Sequence, residues 1–330
     1  MDMFYLILFI FSCWTYADTL SEIKERGMLR CGIHEGLAGF STIDNQGNRS
    51  GFDVDFCRAI SSAIFNDPNK VEFITLNVKT RFLALSSKKV DVLSRNTTYT
   101  FERDTALGIT FTAINFYDGQ GFLVPKKYYI KSVSELNGAT ICIIPGTTTE
   151  LNLADYFSLK NIEYKPIVVE STQQAIMAYE QNRCDAFTTD SSALHVSKTL
   201  LQNPNEHVIL DDFISKEPLA LAVASGDDKW RKLVSWVVWG IIEAEELGIN
   251  QNNIDLSQKS NNPKIKRLLG ILPLAGADNI GLEPNFMAKV IKQVGNYADI
   301  FDRNLTPIGL KRGLNRQWTD GGLLYAPPLR

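Results

Sequence analysis

The sequence predicts an α/β protein of two lobes, each a mixed sheet flanked by helices, joined by two hinge crossings. Three observations predict it. At 330 residues the chain is long enough for two domains with a core each. Two stretches share one strand-helix-strand design. Two extended, apolar segments without helical period lie where such halves would be joined.

The first stretch reads VEFITLNV (71–78) as a strand, TRFLALSSKK (80–89) as a helix and VDVLSRNTT (90–98) as a second strand. The second repeats the order with EYKPIVVE (163–170), STQQAIMAYEQNR (171–183) and CDAFTTDSS (184–192). In both, the last strand is introduced by an Asp and ends in small polar residues: Asn96, Thr97 and Thr98 in one, Thr188, Thr189 and Asp190 in the other. Taken alone, either cluster reads as turn formers. Ligands of open α/β sheets bind beyond the carboxyl ends of the parallel strands, so two matched ends facing each other predict a polar cleft.

The joining segments are GQGFLVPKK (119–127) and EPLALAVAS (217–225), each marked by Gly or Pro. Read as paired crossings, they divide the chain into a first lobe of residues 18–123 and 218–330 and a second lobe, 124–217, inserted into it. Two crossings let lobes hinge about a cleft. The stretch from Leu247 to Arg330 exceeds what the first lobe requires and is read as helices and loops decorating it. Within LNRQWTDGGLLYAPP (314–328), Trp318 and Tyr325 are expected to pack rather than to form a ligand platform.

At the N-terminus the uncharged run from Met3 to Tyr16 is too short to span a bilayer, and Thr15-Tyr16-Ala17 ends it as a small-residue cleavage site does. Residues 1–17 are expected to be a signal peptide cleaved after Ala17, although Asp2 stands where such leaders carry Lys or Arg. Phe11, bulky and two residues before Cys13, argues against lipid attachment there.

Thirty-four Lys and Arg against 37 Asp and Glu give a net charge of −3, which offers no basic stripe for a nucleic acid. Hydrophobic residues at 45% and charged residues at 22% are close to a globular average, so the chain should fold throughout. Without the leader, Cys31, Cys57, Cys142 and Cys184 remain, leaving three disulfide connectivities open, and four buried free thiols as well. The division into lobes favours Cys31 with Cys57 and Cys142 with Cys184, since each pair joins a predicted strand to an element of the same lobe. Neither the cysteines nor the scattered His34, His195 and His207 have metal-ligand spacing, so no metal or cofactor is expected. Asp53 is placed to cap the helix after Gly51, with Asp55 complementing its positive end. Thr147 and Glu150 read as a capping box opening another helix.

LRCGIHEGLAGF (29–40), GFDVDFCRAI (51–60), VDVLSRNTTYTFERD (90–104) and CDAFTTDSS (184–192), in this order, carry a resemblance. The chain resembles the polar amino acid solute-binding proteins of ABC importers over essentially its whole mature length. GTTTELNLADYF (146–157) makes it most similar to the general L-amino acid-binding branch. The resemblance implies a type II periplasmic-binding fold and a monomer in the periplasm that closes on L-amino acids and delivers them to ABC permease subunits at the inner membrane. It implies that Arg103 grips the ligand α-carboxylate with a planar fork of donors, helped by Asn96 and Thr98, while Asp190 receives the ammonium. Amides near Thr148, at a helix N-terminus, would also meet the carboxylate. His34 and Leu37 stand where basic-amino-acid binders of the family carry an acidic residue and an aromatic platform, which implies weak discrimination among side chains. The competing reading is a cleft enzyme on the same fold, such as a dehydratase, with Glu35 as its general acid. No GxSxG, P-loop, HExxH or dinucleotide motif supports it.

Overall fold

A computed structural model describes residues 18–330; the expected leader, 1–17, lies outside the described residues. Along the chain come α1 (Thr19–Arg26), β1 (Leu29–His34), the short pair β2 (Thr42–Ile43) and β3 (Arg49–Ser50), α2 (Phe52–Phe65), β4 (Val71–Leu76), α3 (Arg81–Ser86), β5 (Val92–Leu93), α4 (Phe101–Ala106) and the long β6 (Ile109–Asp118). There follow β7 (Gln120–Pro125), β8 (Ala139–Ile143), α5 (Thr148–Lys160), β9 (Tyr164–Val168), α6 (Thr172–Glu180), β10 (Ala186–Asp190), α7 (Ser191–Thr199) and β11 (His207–Ile209). The chain closes with β12 (Glu217–Ala224), α8 (Asp228–Glu246), α9 (Ile254–Ser257), α10 (Pro263–Leu268), α11 (Phe286–Gln293) and α12 (Tyr297–Asn304).

Two five-stranded mixed sheets result. The first has the order β4-β1-β5-β12-β6, with β1 parallel to β4 and β5 and with β12 antiparallel to β5 and β6. The second has the order β11-β7-β10-β8-β9, with β8 parallel to β9 and β10 and with β7 antiparallel to β10 and β11. Each sheet is buried on both faces. Apolar side chains of α2, α8 and α11 cover one face of the first, and Ala84 and Leu85 of α3 the other. In the second, α6 and α7 lie on one face and α5 on the other.

The chain passes from the first sheet to the second at Gly119, between β6 and β7, and returns between Ile209 and Glu217. EPLALAVAS is therefore not itself a crossing. Its backbone pairs with β6 from Glu217 to Ala224, and the return falls in the segment before it. The sequence-predicted strand 90–98 shrinks to Val92 and Leu93, because Asn96 adopts a left-handed φ of 30° that ends the ladder and turns the chain across the sheet end. Cys31–Cys57 ties β1 to α2 and Cys142–Cys184 ties β8 to the approach to β10, with Cα separations of 6.2 and 5.5 Å. Each bridge stays beside one sheet.

Beyond residue 254 the chain builds an extension on the first lobe. Its helices α11 and α12 pack on α2 and α8, and Tyr297 and Phe301 join Phe40, Phe52, Phe56 and Phe116 in an aromatic cluster with ring centroids 5.0 to 6.4 Å apart. Edge-to-face pairs of this kind add to the area they bury. Trp318 and Tyr325 do pack, but on each other at the surface, with their rings 5.5 Å apart and the side chains about half exposed or more. Among the described residues, no helix is long and apolar enough to cross a membrane.

Asp53 does not cap α2. The N-cap is Gly51, whose φ of 135° and ψ of 167° belong to a region essentially reserved for glycine. A Cβ there would lie 2.2 Å from the Phe40 carbonyl oxygen. Gly51→Ala is accordingly expected to destabilise the protein by about 2 to 4 kcal/mol, combining backbone strain with a clash against main chain. Thermal unfolding checks this; an unchanged midpoint would contradict it.

Candidate functional site

The carboxyl ends of β1, β5 and β10, with the N-termini of α3 and α5, converge on one narrow cavity of about 60 Å³ between the lobes. All seven residues expected from the sequence, His34, Leu37, Asn96, Thr98, Arg103, Thr148 and Asp190, line it. Glu35 does not, and it is exposed.

Arg103 sits in the first turn of α4, where Thr100 caps its amide at 3.3 Å. Its guanidinium donates to the Thr98 carbonyl at 3.0 Å and lies 5.3 Å from the centre of the Phe82 ring, which fixes the fork against the wall. Asp53, in the first turn of α2, accepts the Asn96 amide at 3.1 Å and so pins the turn after β5. Burial pushes the Asp53 carboxyl up to about 7, against the pull of that hydrogen bond and of Arg95. The Asn96 side-chain oxygen is buried without a partner.

Asp190 ends β10 and faces the cleft without capping α7. Burial raises its carboxyl well above the ordinary range, with the negative charges of Asp118 and Glu217 adding to the effect and Arg103 and Arg81 opposing it. Asp118, half-buried at the end of β6, is itself raised to about 6, chiefly by desolvation. Its carboxylate accepts the amides of Gly119 and Ser192, at 2.8 and 3.2 Å.

The Thr148 side chain also links the lobes. Its hydroxyl contacts the Thr98 hydroxyl of the first lobe at 3.3 Å and donates to Glu217 at 3.0 Å. Glu217 also accepts from Asn152 and Ser215, at 2.6 and 2.7 Å. The Lys79–Glu170 ion pair at 2.9 Å also joins the lobes. These contacts describe a closed cleft. The capping box is half formed: Thr147 accepts the Glu150 amide, but Glu150 reaches the Gly146 amide at 2.8 Å instead of that of Thr147.

The sequence reading missed Arg81 and Arg95, and both line the cavity. Arg81 is 4% exposed; it makes a long 3.4 Å contact to Thr97, its Nε has no partner, and it stacks 4.6 Å from the Phe82 ring. Burial, then Arg95 and Arg103, draws its pKa down. Arg95, held through Nε by the Leu76 carbonyl at 2.8 Å, is drawn down to about 10 by burial. Burial and these two cations keep His34 well below its usual range, so it stays neutral and accepts the Gly36 amide at 2.9 Å. Among the described residues, none of the three arginines has a carboxylate within ion-pair distance. The cleft therefore offers guanidinium donors with no carboxylate in contact with them.

Two α/β lobes on a two-crossing hinge, closing over a buried and charged cleft at their strand ends, define a solute-binding protein. The chain belongs to the bacterial extracellular solute-binding proteins, family 3, whose sequence profile matches residues 29–254. It is 51% identical over 319 residues to the general L-amino acid-binding periplasmic protein AapJ of Rhizobium johnstonii, covering 95% of this chain and 93% of the relative. It is 46% identical over 318 residues to the glutamate/glutamine/aspartate/asparagine-binding protein BztA of Rhodobacter capsulatus, covering 95% and 94%. An ABC transporter periplasmic binding protein from Brucella ovis, solved with glutathione bound, superposes with a TM-score of 0.92 at 50% identity, over 96% of this chain and 100% of that one.

Burial, and then the like charge of Asp118, should hold the proton on Asp190. In a carbon-13 titration of ligand-free protein, Asp190 is expected to ionise above the ordinary carboxylate range, and Asp118→Asn to bring it down. An Asp190 that titrates normally in both would overturn this electrostatic description.

Proposed function

We propose that the protein is the periplasmic substrate-binding component of an amino acid ABC importer, capturing L-amino acids by closure of its lobes and presenting them to a membrane permease. One observation carries the reading: Arg103 and Asp190, from opposite lobes, line a single buried cavity and feel each other's charge. An α-carboxylate on Arg103 and an ammonium on Asp190 would neutralise both at once. Thr98, Asn96 and Thr148 complete the grip on the ligand backbone, and His34 and Leu37 border the side-chain space. The names of the AapJ and BztA relatives are of the same ligand class.

Arg81 and Arg95 extend the reading. Arg103 alone suffices for an α-carboxylate, so the other two supply donors for a second anionic group, which favours including L-glutamate and L-aspartate among the ligands. Glu35, the general acid that the enzyme reading named, is exposed and outside the cavity, and this favours binding over catalysis. The leader would be removed after Ala17. Asp18 already belongs to the fold, capping α1 through the Ser21 amide at 2.8 Å and pairing with Lys229 at 2.7 Å.

Calorimetry with a panel of L-amino acids tests the site. Arg103→Ala is expected to cost about 2 to 5 kcal/mol with every ligand, roughly thirtyfold or more in Kd. Unchanged affinity would remove Arg103 from the account. Arg81→Met, which keeps the apolar stem, should weaken L-glutamate at least about tenfold more than L-alanine, the loss expected for one charge-assisted contact. Equal losses would overturn the second anion position. Because an ammonium needs the ionised Asp190, affinity should rise with pH as this raised carboxyl loses its proton. Asp190→Asn should flatten that profile.

A further inference from the structure

The extension of the first lobe lies beyond the family profile, which ends at residue 254, and nothing in the ligand cleft requires it. Most of its packing is on α2 and α8, but a few of its side chains reach residues 115–117, just ahead of the first crossing. β6 is an edge strand with β12 as its one neighbour, so alternate main-chain groups on its outer side have no strand to pair with. The extension supplies their partners. The Tyr297 hydroxyl donates to the Asn115 carbonyl at 2.8 Å, and the Asn315 side chain accepts the Tyr117 amide at 2.7 Å and donates to the Tyr117 carbonyl at 2.9 Å. Between them, Phe116 stacks on Phe301 with ring centroids 6.4 Å apart.

Asn315 is buried at 3% exposure and firmly placed. Arg312 donates to its carbonyl at 2.7 Å, pairs with Glu245 at 2.7 and 2.9 Å, and lies 5.0 Å from the centres of both the Tyr297 and Phe301 rings. The same segment reaches the other lobe: the turn Thr306–Ile308 meets α7, whose Ala193 and Val196 share the first lobe's apolar cluster. Elsewhere a groove of about 650 Å³, walled by His195, Phe213 and Lys216 on one side and by residues 309–316 on the other, separates the two.

We infer that residues 297–316 are a hinge brace with Asn315 as its positioning residue: fixed to the first lobe, the segment pins residues 115–117 ahead of the pivot at Gly119 and supports α7 in the closed arrangement. The brace confines rotation to the crossing and favours closure without touching the amino acid. The inference rests on the reading that the lobes close on a ligand, and it assigns the extension a part in that closure.

The test compares wild type, Asn315→Ala and Tyr297→Phe. The second removes one hydroxyl and keeps the ring, so it reports even if the first variant does not fold. Amide hydrogen exchange at residues 115–119 is expected to quicken about tenfold in Asn315→Ala and less in Tyr297→Phe, since one or two main-chain partners are lost. Small-angle scattering should find both variants more expanded than wild type, without ligand and with L-glutamate, and calorimetry should find L-glutamate bound severalfold more weakly. Packing alone would alter melting but not closure or affinity. Faster exchange with unchanged compaction and affinity would therefore reduce the extension to decoration and overturn the brace. A wild type that fails to compact with L-glutamate would count against the functional reading instead, and the ligand-free scattering and exchange would still decide the brace.

Discussion

Three guanidinium groups, those of Arg81, Arg95 and Arg103, are held out of water at one end of the first sheet, and much of the cleft follows from that. Moving one such charge inward costs several kcal/mol even after the protein relaxes, and three of like sign oppose one another. Phe82 stacks under two of them, and main-chain carbonyls take some of their donors. On the hinge and the second lobe, the buried Asp190 and Glu217 and the half-buried Asp118 concentrate the opposite sign. Each side carries a surplus that the other side, or a guest with both signs, relieves.

The direct links that hold the lobes together are few. Thr98 and Thr148 meet through neutral hydroxyls, worth about 1 kcal/mol net, Thr148 and Asn152 donate to the Glu217 carboxylate, each worth about 1.5 to 3 kcal/mol, and the exposed Lys79–Glu170 pair adds about 0 to 1 kcal/mol. Bonds of that strength position the lobes without locking them. The energy that distinguishes open from closed is left to the charged contacts, and a guest can bias the two states only by its difference in affinity for them. Strong fields and weak latches together make a reversible trap.

Much of this was legible before any coordinates. The matched strand ends Asn96-Thr97-Thr98 and Thr188-Thr189-Asp190 located the cleft, because the direction of parallel strands fixes where a site lies. Arg81 was not legible. At the head of TRFLALSSKK it looks like a solvated charge, and no local pattern tells that it faces Thr97 and the cavity between the lobes. Arg95 carried a readable signal, a charge within a short strand beside the site, but it was taken as part of the ladder that Asn96 in fact ends. The crossings were displaced by a few residues because sheet membership is set by hydrogen-bond partners, while apolar runs mark burial alone. Asp53 was taken for a cap since nothing local told that Gly51 turns the chain first. The role of Asn315 depends on an edge strand two hundred residues earlier, a relation no window of sequence contains.

The two disulfides have a consequence for how such a chain matures. Their partners are 26 and 42 residues apart, and the first pair lies wholly upstream of the second. A mature chain threaded outward from its N-terminus exposes Cys57 when Cys31 is the thiol on offer, and that bridge can close before Cys142 emerges. Cys184 then meets Cys142 with the earlier pair already consumed. Order of arrival thus favours the native connectivity out of three, although the first lobe waits for its final third to arrive from the far side of the insertion.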